Sequence, residues 1–178
     1  MNSRNVILLL FILNHSGVSA QTDTLSYSHT GLNMHYGYII PHSLIIEPVS
    51  HTNPFGFEIS RNKLNTSFDR WKIFNAFWIS GFQIRYFNFQ NPKILGSEFD
   101  VSLFAEPVVS YGKKYLITVK GGGGFSYHTK IYNPIDNPTN HFFCTRISFP
   151  LFIYASIKYK VADNIYLNLS GCYNHISN

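Results

Sequence analysis

Stretch after stretch of this chain alternates apolar and polar side chains one residue at a time. That pattern narrows the possible folds more than any other feature of the sequence. Successive side chains of a β-strand point to opposite faces, so such a stretch makes one apolar and one polar face. Leu32–Ile40 opens the series. In Phe55–Asn62, Phe55, Phe57 and Ile59 oppose Glu58 and Ser60; in Trp78–Asn88, Trp78, Phe82, Ile84 and Tyr86 oppose Gln83 and Arg85. Asp100–Tyr111 sets Val101, Leu103, Ala105 and Val109 against Ser102, Glu106 and Ser110, and Tyr115–Tyr127 continues in the same way. Ile147–Tyr159 and the segment from Ile165 to His175 complete about seven strands. Between them lie turn formers: Asn53-Pro54, Asn91-Pro92, Tyr111-Gly112-Lys113, Asn133-Pro134, Asn137-Pro138 and Asp163-Asn164. No long helix is expected.

The chain is 45% hydrophobic and 17% aromatic but only 13% charged, yet after the N-terminus no segment nears the roughly 18 apolar residues of a membrane-spanning helix. Apolar content spread over alternating stretches, with aromatic rings at strand ends, is the pattern of a transmembrane β-barrel. A soluble β-sandwich also alternates. The barrel is favoured because several strands exceed the usual soluble length and charge keeps to one parity. The expected fold is all-β, an antiparallel outer-membrane β-barrel with about seven of eight or more strands. Bacterial barrels use even numbers, since an open edge in lipid leaves backbone groups unpaired. The odd count therefore implies a barrel domain left incomplete at its C-terminus, by a sequence that stops short of a closing strand; the alternative is a further strand within Ser60–Ile79.

At the N-terminus, Arg4 precedes the apolar run Val6 to Leu13, and Val18-Ser19-Ala20 supplies small residues before Gln21. This reads as a secretory signal peptide over residues 1–20, cleaved after Ala20, leaving a single exported domain over 21–178. The run is too short to span a bilayer as a helix. A net charge of +5, with no basic run or stacking-aromatic motif, argues against nucleic acid. Gly121 to Gly124 lacks the Lys-Ser/Thr of a phosphate loop and marks a bend, a bulge or a close side-chain approach. His42 and His51 bracket a loop without an acidic or thiol cluster, so no metal is expected. Cys144 and Cys172 would share an oxidising compartment, and the sequence leaves open whether they pair.

The remaining feature is the ending, Asn174-His175-Ile176-Ser177-Asn178. On the parity that carries Ile165, Leu167, Leu169 and Tyr173, His175 and Ser177 fall on the apolar exterior near its polar boundary. The His-x-Ser-Asn ending resembles the signature of PagL-type lipid A 3-O-deacylases, eight-stranded outer-membrane barrels. The stretches Tyr38-Ile39-Ile40-Pro41-His42-Ser43, Glu47-Pro48-Val49-Ser50-His51-Thr52-Asn53-Pro54 and Tyr86-Phe87-Asn88-Phe89-Gln90-Asn91-Pro92 resemble a Bacteroidetes branch of acyloxyacyl hydrolases.

That resemblance implies an outer-membrane enzyme that removes an ester-linked acyl chain from lipid A of lipopolysaccharide, without metal or organic cofactor. Ser177 would be the nucleophile, His175 its general base, and Asn178 a donor to the oxyanion. The family's orienting carboxylate lies about a dozen residues beyond the serine and is absent from this sequence; Asp136 and Asp163 sit in turns. Two alternatives carry no chemistry: a small structural or adhesion barrel, and a passive channel. A small barrel packs its interior with side chains, which disfavours the channel.

Overall fold

Every alternating stretch is a strand. A computed structural model describes residues 10–11, 26–41, 43–66 and 75–177. In chain order the elements are β1 (Leu10–Phe11), β2 (Ser26–Tyr36), the four-residue α1 (Glu47–Ser50), β3 (Phe55–Asn65), β4 (Trp78–Asn88), β5 (Ser97–Tyr111), β6 (Tyr115–His128), β7 (Ile147–Ala162) and β8 (Ile165–Ser177). From β2 to β8 each strand pairs antiparallel with the next. An 11-residue strand tilted by about 45° climbs about 25 Å, the height of a barrel's apolar belt.

The sheet curls, because side chains from distant strands meet inside it. Lys120 on β6 reaches Glu58 on β3, and Arg85 on β4 reaches Tyr154 on β7 and Asn174 on β8. Seven strands in up-and-down order leave β2 and β8 running the same way. β1 lies between them, antiparallel to β8 and paired at Leu10↔Asn168 and Phe11↔Leu167. The rest of the proposed signal peptide, including Ala20, lies outside the described residues.

Polarity is the reverse of a water-soluble protein. The inward rows carry Glu58, Gln83, Arg85, Asp100, Glu106 and Lys120, all buried. The outward rows carry exposed apolar side chains such as Ile84, Val101, Leu103, Leu151, Ile153 and Leu169. Buried charge is costly unless paired, and here most of it is paired. Glu58 accepts from Lys120 Nζ at 3.0 Å and Asn33 Nδ2 at 2.6 Å, and lies 3.2 Å from His35 Nε2. Arg85 Nε donates to Asp100 at 2.9 Å, and Lys158 pairs with Glu106. Rings fill the space between: Arg85 lies 4.5 Å from the Phe152 centroid and Lys120 lies 4.2 Å from that of Tyr154. Among the described residues the lumen holds a cavity of about 20 Å³ between Asn33, Lys158 and Asn168, room for about one water.

The strand ends differ. Residues 112–114 and 163–164 make short turns at one end, which also carries the longer connection 66–77, while 37–54, 89–96 and 129–146 make long loops at the other. The long loops have their own apolar core of Ile46, Val49, Phe89, Leu95 and Phe143, which caps the lumen. Asn137 and Asn140 both donate to the Ile94 carbonyl, tying two of these loops together.

Several expectations shift. The first long strand is Ser26–Tyr36 rather than Leu32–Ile40: it begins earlier, and its pairing stops at Tyr36↔Phe55, beside Pro54, which has no N–H for the ladder. β3 runs on to Asn65, and among the described residues no further strand separates it from β4; residues 67–74 lie outside them. Charge is not confined to one parity, since Arg61 and Lys63 project outward from the turn-side half of β3. The glycine run is a close approach. A Cβ on Gly122 would strike the Leu103 carbonyl, the ring of Phe152 and the Cβ of Phe104. Cys144 and Cys172 are both free and exposed.

Candidate functional site

β8 runs from the short-turn end to the long-loop end, and His175 and Ser177 occupy its last rungs. Alternation sends them to the same side as Leu167, Leu169 and Tyr173. Both are exposed, with Leu151 across the ladder from His175 and Phe149 across from Ser177. The pair thus stands on the outer face, among apolar side chains, at the upper margin of the apolar belt. Residues two apart on one strand face are about 6.6 Å apart along it. Among the described residues the two side chains make no hydrogen bond to each other.

The alternate side chains, Asn174 and Ile176, turn inward and are held. Asn174 Oδ1 accepts from Arg85 Nη1 at 2.7 Å. Ile176 is half-buried against the loop core. Arg85 also donates to Asp100 and to the Tyr154 hydroxyl. β8 is therefore gripped from the lumen side at two successive inward positions, which fixes the outward direction of His175 and Ser177. Nothing local in the sequence announces the Arg85–Asn174 contact; the available signal was an arginine on a polar strand face, which requires a buried acceptor.

No orienting carboxylate accompanies the pair among the described residues. The acids of the strands, Glu58, Glu98, Asp100 and Glu106, are all buried in the lumen. Asp163 lies at the opposite end of β8, paired with Lys160, and Asp136 is exposed in the 129–146 loop. Asn178 and His42 lie outside the described residues. His51 lines an open rim cleft of about 570 Å³ with Tyr36, Thr52, Asn53, Phe55 and Gln90. No group of three His, Cys, Asp or Glu suited to a metal occurs among the described residues.

No family model, no curated protein and no solved structure matches the chain. The fold itself, an antiparallel curled sheet with a polar interior and an apolar exterior, fits an outer-membrane protein. No described helix is long and apolar enough to cross a membrane, which leaves crossing by strands unaffected.

Proposed function

We propose that this chain is an outer-membrane barrel that hydrolyses an ester-linked acyl chain of lipid A, with Ser177 as nucleophile and His175 as general base. The observation that carries the reading is the position of the pair. Both side chains stand on the apolar outer face at the long-loop end, the side that faces outward in bacterial barrels. A lipid in the surrounding leaflet would bring its acyl ester to that height without leaving the membrane.

In this reading His175 takes the Ser177 hydroxyl proton as the oxygen attacks the ester carbonyl. Collapse of the tetrahedral intermediate expels the sugar oxygen, which receives that proton, and leaves the acyl chain on Ser177. Water, deprotonated by the same imidazole, then releases the fatty acid and restores the serine. The side-chain amide of Asn178 would donate to the oxyanion.

A structural barrel is the second reading. It is favoured by the lack of a carboxylate beside His175 among the described residues. Lipid A mass spectra separate the two, taken from cells expressing the natural gene and its Ser177→Ala variant. The esterase predicts a species lighter by one acyl chain with wild-type protein alone. Identical spectra, with both proteins assembled in the membrane, would leave the structural barrel.

A further inference from the structure

The apolar belt is narrow along β2 and β3, where the outward apolar row of β3 covers Phe55, Phe57 and Ile59 before Arg61. On β8 the outward apolar row runs from Ile165 to Tyr173, a span of nine residues. On β2 it begins at Leu32, because Ser26, Ser28 and Thr30 precede it, and the paired strand ends at Tyr36, a span of five. The row does not stop with the pairing. Beyond Tyr36 the backbone stays aligned with β3 for one more step, with Gly37 N donating to the Pro54 carbonyl at 3.0 Å and Asn53 Nδ2 to the Gly37 carbonyl at 3.1 Å. Alternation persists through it: Ile39 turns inward onto the loop core while Tyr38 and Ile40 face out. With them the outward row on β2 spans Leu32 to Ile40, nine residues, matching β8.

The next large apolar side chains left exposed are Leu44 and Ile45. Exposure of the four is 67% for Tyr38, 57% for Ile40, 86% for Leu44 and 60% for Ile45, so a water-facing loop would present four large apolar groups to solvent. Contiguous exposed apolar surface marks an interaction site. From Tyr36 to Ile46 the sequence has no Asp, Glu, Lys or Arg. Ile46 and Val49 meanwhile bury themselves in the cap, so the segment is anchored from within and apolar without.

We infer that residues 37–41 and 43–45 form a ledge seated against the acyl chains of the surrounding leaflet, completing the lipid-facing belt where the β2–β3 ladder ends. The occupant is lipid because Tyr38 and Ile40 continue the outward row of β2 in register and the ledge carries no formal charge for a polar partner to meet. This rests on β2 to β8 spanning a membrane, and not on the esterase chemistry.

The test uses the full chain in phosphatidylcholine vesicles, in a Cys144→Ser, Cys172→Ser background. Nitroxides are placed singly through Tyr38→Cys, Ile40→Cys and Leu44→Cys, with Ile153→Cys as a mid-belt reference and Asp163→Cys as a turn reference. Relaxation by oxygen reports lipid, and relaxation by a water-soluble nickel chelate reports solvent. The ledge requires positions 38, 40 and 44 to favour oxygen, as position 153 does. Nickel-favoured relaxation at those three with oxygen still dominant at 153 overturns the ledge alone; nickel dominance at 153 as well overturns the membrane-spanning wall with it. Tyr38→Trp in a Trp71→Phe, Trp78→Phe background gives a gentler second measurement: brominated phosphatidylcholine must quench its fluorescence.

Discussion

Arg85 on β4 and Asn174 on β8 meet across the lumen, Nη1 to Oδ1 at 2.7 Å, although four steps along the wall separate their strands. The same guanidinium holds Asp100 and the Tyr154 hydroxyl. Removing it leaves the Asp100 carboxylate buried and unpaired, so Arg85→Ala should cost about 3–5 kcal/mol. Asn174→Ala loses one hydrogen bond to a charged donor at a partly wet position, about 1.5 kcal/mol. Urea unfolding in lipid vesicles reads both, and equal costs would contradict the assigned hub.

Ile153 stands on the outer face of β7 opposite Tyr173, in mid-belt. In lipid, Ile153→Lys should destabilise by about 2–4 kcal/mol. Were this face wet, as in a soluble sandwich, the same change would fall within about 0.5 kcal/mol. Refolding into vesicles compared with the parent chain decides it.

The two neighbouring glycines Gly121 and Gly122 should respond unequally. A Cβ at Gly121 comes no nearer than 3.9 Å to the Phe152 carbonyl, whereas at Gly122 it meets the Leu103 carbonyl, the Phe152 ring and the Phe104 Cβ. Gly122→Ala should cost about 1–3 kcal/mol through overpacking, and Gly121→Ala should leave the unfolding midpoint nearly unchanged.

Ser177→Ala removes an exposed hydroxyl that makes no hydrogen bond among the described residues. Its effect on stability should stay within about 0.5 kcal/mol. Any loss of acyl release in the variant is then chemistry rather than misfolding, and the same unfolding assay checks this on the protein used for mass spectra.

Period two made the wall legible, since parity alone told which side chains share a face. It therefore set His175 and Ser177 on the row of Leu167 and Leu169 before any coordinates. Strand ends were less legible: alternation continues to Ile40, but hydrogen-bonded pairing stops at Tyr36, because pairing depends on what Pro54 opposite can donate. The cap was invisible, since Ile46, Leu95 and Phe143 come from three loops with no shared period. The grip of Arg85 on Asn174 was equally hidden. An arginine on a polar face declares that it needs acceptors, and only the curl of the sheet determines which strand supplies them.

The ladder between β6 and β7 skips two rungs between Gly123↔Leu151 and Ser126↔Ser148, the stretch containing Pro150. Above Asn168, among the described residues, β8 has β7 as its single paired neighbour. The corner where Phe149 faces Ser177 thus hangs from the wall more than it is woven into it. Backbone held this way opens at lower free energy than a fully laddered wall. On the proposed chemistry, the surface that would meet an incoming acyl chain would also be the part of the wall that yields most readily.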